Sequence, residues 1–199
     1  MMRRGINPTV AEAAEAAGVH RATAYRYFPT ARTLLAEAAL AVSDLDTEKV
    51  YADAPSRDPL TLIDMAVVAV CDLMFAEESL FRRNLVEALE GWFVRQEEGT
   101  VDEFPFRSTR RFMWIDPCLE PLADVLNPAQ LRRLRNGLAL TFGSEAVVVT
   151  RDVCRIAPDE ATETMRWAAA SLIRTAVAEA QAGISPVSAE DEAPERDSK

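Results

Sequence analysis

The chain has 199 residues, of which 49% are hydrophobic and 27% charged, as is ordinary for a water-soluble globular protein. No stretch reaches the roughly 18 uninterrupted apolar residues that a membrane span needs. The two arginines near the start are not followed by the apolar segment of a signal peptide. Three widely spaced cysteines favour reduced thiols over a disulfide framework. We therefore expect a cytoplasmic protein that has no membrane partner.

The net charge of −10 is unevenly distributed along the chain. Residues 1–43 carry five arginines and three glutamates, a net +2, which leaves −12 on the remainder. From His20 to Arg32 there are three arginines and no acid. A cationic tip on an acidic body is compatible with phosphate binding by the tip alone.

Helix-favouring residues dominate the chain, and no alternating strand pattern is visible, so we predict an all-α fold. The segment Thr9–Glu12 has the spacing of a capping box, which predicts a helix that stops at Gly18. A second short helix is predicted over Arg21–Tyr27, ended by Phe28 and Pro29. A third is predicted from Thr30 to about Thr47.

The rest of the chain alternates longer helices with proline-containing loops. We predict a loop over 52–59 and another over 96–105, and a kink where Pro117 and Pro121 interrupt a helical segment. The predicted helices are Leu60–Glu77, Glu78–Arg95, Arg107–Leu126, Pro128 to about Val153, and Pro158–Ala182. The predicted domains are a head over 1–46, a helical body over 47–183 and a disordered acidic tail over 184–199.

The first two predicted helices have the pattern of a helix-turn-helix. Ala14 and Ala17 are small enough for two helices to approach closely, and Gly18 suits the turn. Val19 is expected to fill the space between the helices, and Phe28 to anchor the end of the second. The second helix would then present arginines, hydroxyls and phenols, which bind phosphates and base edges. His20 adds a donor at its start.

The segment Thr9–Leu35 resembles the DNA-binding segment of the TetR (tetracycline repressor-like) family over about 27 positions. The match includes T-V at residue 9, A-G-V at 17, T-x-Y at 23, the aromatic pair at 27 and the paired leucines at 34. The resemblance implies DNA-backbone contacts by Thr9, Thr23, Tyr25 and Tyr27, and base contacts by Arg21, Ala22 and Arg26. The family has a phosphate-binding lysine where this chain has Ala31, and Arg32 is the nearest cation.

The resemblance also implies a first helix before the Thr9 segment, and we expect this helix to be missing, since only eight residues precede Thr9. Two hypotheses remain open. In one, the chain is a homodimeric, ligand-responsive repressor bound to a double-stranded DNA operator. In the other, it is a ligand-binding or protein-interaction helical dimer that has lost DNA binding.

The body carries the remaining candidate residues. A pocket for an unidentified small-molecule effector is predicted from apolar side chains: Met65, Trp92, Phe93, Phe112, Met113 and Trp114. A dimer interface is predicted along two long helices, from a stripe rich in small residues: Leu138, Phe142, Met165, Ala169, Leu172 and Ala176. An intrachain packing face is the alternative for this stripe. We predict no cofactor, no metal site and no enzymatic activity, because no catalytic or metal-binding pattern is recognisable.

Overall fold

A computed structural model describes residues 8–31, 33, 34, 37, 46–99 and 109–184 of the chain, and no strand occurs among them. The prediction of an all-α fold is confirmed. The helices are α1 (Val10–Ala16), α2 (Arg21–Tyr27), α3 (Thr47–Ala52), α4 (Pro59–Ala76), α5 (Glu78–Glu98), α6 (Arg111–Leu119), α7 (Pro128–Thr141), α8 (Ser144–Val148) and α9 (Pro158–Gln181). A 3-10 turn (Glu120–Leu122) follows α6, and a π-helical turn (Val149–Val153) follows α8.

Local capping chemistry explains where several helices begin. Asp58 accepts a hydrogen bond from the Thr61 amide at the start of α4, directly before Pro59. Asn127 and Gln130 form a reciprocal capping box at the start of α7. Both devices satisfy amides that a helix leaves without intrahelical partners. Proline at the first helical position loses no hydrogen bond there, since its missing amide would be unpaired anyway.

Helix α4 is the central helix of the body. It packs against α9, α6 and α3, and its Leu62, Ile63 and Val67 are fully buried. By length and by its mean hydropathy of 1.9 it is also the one described helix that meets the criteria for a membrane span. Within it, however, Asp64 forms a bidentate ion pair with Arg166 of α9. The helix therefore serves as the core of a helical bundle.

The helix predicted from Pro128 to about Val153 is broken at residues 142 and 143. Phe142 is extended and fully buried, and Gly143 has φ +112°, so the chain restarts as α8 and then as the π-helical turn. The space beside Gly143 holds the guanidinium of Arg111. This side chain donates to the Ala139 carbonyl at 2.6 Å and pairs with Glu145. A hydrophobic spacing that suits one continuous helix did not reveal this break.

The prediction that this stripe forms a dimer interface is mostly wrong, because the stripe is buried within the single chain. Five of its six members are buried in the single chain: Leu138, Phe142, Met165, Ala169 and Ala176. The sixth, Leu172, is partly buried and packs against the same core. The members of the stripe on α9 face α4 and α7, so its small residues allow close helix packing within one chain. The alternative interpretation, an intrachain packing face, describes it correctly.

Two separate apolar clusters exist among the described residues. The larger lies in the body and includes Tyr51 of α3. The smaller consists of Val10, Ala14 and Ala24, with Phe28 and Leu34 packed against it. The prediction of a single helix from Thr30 to about Thr47 is wrong at its end, because Asp46 has an extended backbone and caps α3. Most of that predicted helix, and the predicted tail from residue 185, lie outside the described residues.

Candidate nucleic-acid interface

Helices α1 and α2 pack on each other through small side chains. Val10 and Ala14 of α1 are buried against Ala24 of α2, and Phe28 covers the end of this contact. Between them Gly18 has φ +67°, a conformation that glycine adopts without a steric penalty. The predicted turn residue is confirmed. Val19 does not fill the space between the helices, because it is exposed.

The start of α1 is held by the predicted capping box. The Thr9 hydroxyl accepts from the Glu12 amide at 3.2 Å, while Glu12 Oε2 accepts from the Thr9 amide at 2.7 Å. The same Oε2 also accepts from the Thr9 hydroxyl at 2.9 Å. These hydrogen bonds from the Thr9 amide and hydroxyl lower the pKa of the Glu12 carboxyl below its ordinary value. The Thr9 hydroxyl is thus engaged in the cap, although the side chain is exposed.

The start of α2 is capped by the single histidine of the chain. His20 Nδ1 accepts from the Ala22 amide at 3.3 Å. An accepting Nδ1 carries no proton, so in this arrangement Nε2 is the ring's donor. His20, Arg21, Ala22 and Thr23 are all exposed, and Arg21 makes a long contact of 3.9 Å with Glu15.

The outer face of α2 carries an aromatic and cationic group. Tyr25, Arg26 and Tyr27 are exposed, whereas Ala24 is the buried residue of this helix. The Arg26 guanidinium carbon lies 5.1 Å from the centroid of the Tyr27 ring, and Arg26 Nη2 donates to the Tyr27 hydroxyl at 3.3 Å. A guanidinium held over a ring keeps several N–H donors directed to solvent.

The structure brings together eight of the nine residues predicted to contact DNA. Thr9 lies at the cap of α1, and the others lie on or beside α2: His20, Arg21, Ala22, Thr23, Tyr25, Arg26 and Tyr27. Arg32 lies outside the described residues. The arrangement therefore offers cations and phenols on one short helix, with Ala24 turned inward.

The residues predicted to line an effector pocket do not form one enclosed site in the described structure. Trp114 is a core residue whose ring lies 6.2 Å from that of Tyr51, and its carbonyl accepts from the Tyr51 hydroxyl at 2.5 Å. Phe112 lies 3.4 Å beneath the guanidinium of Arg135. Of the other predicted residues, Met65 on α4 is partly buried. Three are exposed: Trp92, Phe93 and Met113. A stripe of large apolar residues cannot by itself distinguish core, cavity and surface, which is why the pattern misled.

Sequence reasoning also missed an ion-pair cluster where α5 meets the π-helical turn. Arg82 forms a bidentate pair with Asp152, with both N–O distances 2.7 Å, and also donates to Glu78. Arg151 donates to the Ile156 carbonyl at 2.5 Å, while its Nε is buried with no hydrogen-bond partner and lies 3.9 Å from Glu78 Oε2. No local motif indicates the Arg82–Asp152 and Arg151–Glu78 contacts, because their members lie about seventy residues apart.

Comparison with protein-family models, with curated proteins and with solved structures finds nothing that matches this chain.

Proposed function

We propose that this chain is a DNA-binding transcriptional regulator of the TetR type, a homodimeric, cytoplasmic and ligand-responsive repressor without catalytic activity. The observation that carries the proposal is the outer face of α2, where Arg21, Tyr25, Arg26 and Tyr27 are exposed together. Exposed phenol and guanidinium groups on one short helix fit the edge and backbone of a major groove.

The roles of these residues differ in the proposed complex. Tyr25 and Tyr27 would donate to phosphates and set the register of α2, whereas Arg26 would reach base edges from the last turn of the helix. His20 would add a phosphate contact through Nε2 beside the first amides of α2. The acidic body would repel the duplex, so that binding is confined to the head.

A homodimer belongs to the proposal because two heads would occupy successive major grooves, about 34 Å apart. Its contact surface would be the outer sides of α7 and α9, where Leu140 is 81% and Trp167 70% exposed. An effector bound in the body would act by favouring a dimer geometry whose heads no longer match the groove spacing. Its effect on DNA affinity equals its differential affinity for the two geometries.

Alanine substitution of Arg26 tests the proposal. Binding of the full chain to the DNA upstream of its own reading frame is measured across a salt titration. Arg26→Ala is expected to weaken specific binding about tenfold or more, since a bidentate base contact contributes roughly 1–3 kcal/mol. Arg57→Ala removes the same charge from an exposed loop of the body, and this control should bind like the parent.

The salt dependence separates the two hypotheses. A regulator loses affinity steeply as salt rises, because phosphate contacts release counterions. If the parent chain forms no specific complex at any salt concentration, the proposal fails, and the hypothesis of a ligand-binding or protein-interaction dimer replaces it. Equal binding by the parent, Arg26→Ala and Tyr25→Ala would exclude α2 as the DNA-contacting helix.

A further inference from the structure

The outer side of α5 carries large apolar residues at coiled-coil spacing. Val86, Leu89 and Phe93 are 46%, 57% and 63% exposed. Their spacing of three and then four residues places them in one line along the helix. Trp92 lies edge-on to Phe93, with ring centroids 5.2 Å apart, and this contact orients the Phe93 ring. We call the line of Val86, Leu89 and Phe93 the α5 seam.

The seam is not part of the core of the chain. The buried residues of α5 are Leu80, Phe81 and Gly91, and at about 100° per residue they fall on the opposite side of the helix. The α5 seam, from Val86 onward, therefore lies opposite the buried side of α5, and one turn before Val86 the side chain of Arg82 is paired with Asp152. Single exposed apolar residues are common on protein surfaces, but a continuous line of them marks a contact surface.

The charges beside the seam are arranged symmetrically about its middle. Arg83 lies seven residues before Glu90, and Glu97 lies seven residues after it. At about 1.5 Å of rise per residue, each charge is roughly 10 Å from the centre. Val86 and Phe93 are likewise placed on either side of a point next to Leu89. When two copies of the helix run in opposite directions, Val86 of one therefore lies opposite Phe93 of the other. In the same arrangement Arg83 of one lies opposite Glu97 of the other.

We propose that the α5 seam is a self-association surface that docks, antiparallel, on the same seam of a second copy of this chain. Val86 of one copy meets Phe93 of the other, Leu89 lies near the two-fold axis, and Arg83 of each copy pairs with Glu97 of the other. In a parallel arrangement the flanks that carry these charges would lie on opposite sides of the contact, and Arg83 would have no Glu97 beside it. Such a self-complementary contact closes as a two-fold pair.

The proposal is independent of DNA binding and of the dimer surface proposed on α7 and α9. A chain that uses both surfaces forms tetramers or larger assemblies, whereas a chain that uses the α5 seam alone forms dimers. In either case, loss of the seam reduces the size of the largest particle at least twofold. The test therefore distinguishes failure of this inference from failure of the proposed function.

Substitution of Phe93 gives the first test. The mass of the full chain is measured by sedimentation velocity without DNA, from about 1 to 100 µM, a range suited to weak contacts. Phe93→Gln is expected to halve the weight-average mass of the parent at the highest concentration. Met113→Gln is the matched control, because it removes an equally exposed apolar side chain from α6. Equal masses for the parent and Phe93→Gln at every concentration would overturn the proposal.

A charge exchange tests the antiparallel direction. Arg83→Glu and Glu97→Arg should each reduce association, since each places like charges together across the seam. The double variant restores opposite charges and should recover the mass of the parent. If both single variants weaken association and the double variant does not recover it, the antiparallel pairing is wrong. Circular dichroism of each variant establishes that the helices are intact.

The centre of the seam supplies a variant that should gain association. Glu90 is exposed beside the two-fold axis and would face its own copy, so that two carboxylates lie close together. Glu90→Gln removes this repulsion and should shift self-association to several-fold lower concentration. An unchanged or weakened association of Glu90→Gln would contradict the proposed axis.

Discussion

Gly143 shows how one residue decides the course of the chain between α7 and α8. Its φ of +112° is outside the range that other residues adopt readily. A Cβ at this position would also lie 2.5 Å from Nη2 and 2.7 Å from Cζ of Arg111. The same guanidinium hydrogen-bonds the Ala139 carbonyl at the end of α7 and pairs with Glu145 at the start of α8. Glycine is therefore required for two independent reasons.

Gly143→Ala should lower the free energy of unfolding by about 3 kcal/mol, through backbone strain and displacement of the Arg111 guanidinium. Gly137→Ala is the matched control. Its Cβ would meet Leu172 Cδ1 at 3.4 Å, an ordinary contact, and alanine favours the helix by about 1 kcal/mol. Urea unfolding measures both variants. A Gly143→Ala variant as stable as Gly137→Ala would contradict the assigned role of Arg111.

At the scale of the element, α1 depends on its cap more than on its length. The helix has seven residues, too few to be stable alone in water, and it buries only Val10 and Ala14. The reciprocal hydrogen bonds of Thr9 and Glu12 satisfy amides that the helix cannot pair internally. Because the Glu12 carboxylate accepts from both the Thr9 amide and the Thr9 hydroxyl, the charged form of this residue makes the stronger cap.

The cap of α1 should therefore depend on pH. The pKa of Glu12 is lowered in the folded state, so its contribution is complete above the ordinary value of 4.5 and is lost as pH falls through the lowered value. Cα chemical shifts of Val10–Ala16 between pH 7 and pH 2 should show this loss of helix. Glu12→Gln should reduce the dependence, and Glu15→Gln, on the same helix, should leave it unchanged. The same profile for the parent and Glu12→Gln would contradict the assignment.

At the scale of the whole molecule, the body protects two of its three thiols. Cys71 and Cys118 are buried, whereas Cys154 is exposed. Burial raises the pKa of both buried thiols to about 11. Cys71 lies 3.4 Å from the sulfur of Met165, and the Cys118 thiol donates to the Trp114 carbonyl at 3.2 Å. The two side chains are packing residues of the core.

Thiol titration should thus distinguish the folded from the unfolded chain. At pH 8, roughly one in a thousand of the buried thiols would be ionised even if a reagent reached them. We expect one reactive thiol per folded chain and three after denaturation, and none in folded Cys154→Ser. Rapid reaction of a second thiol in the folded protein would show that the core around α4 is more open than the structure indicates.

Much of the helical order was predictable because its signals are local. The caps of α1 and α7, the prolines that start α4 and α9, and the glycine turn at Gly18 all act within a few residues. The inner face of α2 was also predictable from Ala24 with Phe28 four positions later, although Ala22, which is equally small, is exposed. The effector pocket and the dimer stripe were not predictable in this way. Apolar spacing indicates that one face of a helix is covered, but it does not indicate which segment covers it.

The amino-acid sequence by itself determined the all-α class, the positions of most helix ends and the cationic, aromatic outer face of α2. These features follow from hydrogen bonds and hydrophobic periodicity among residues that lie within about two helical turns of one another. Only the tertiary structure decided that the stripe on α9 is internal, that the helix breaks at Gly143 beside the Arg111 guanidinium, and that the apolar line on α5 is exposed. Each of these depends on which distant segment occupies the adjoining space, and that occupancy is a property of the packed chain as a whole.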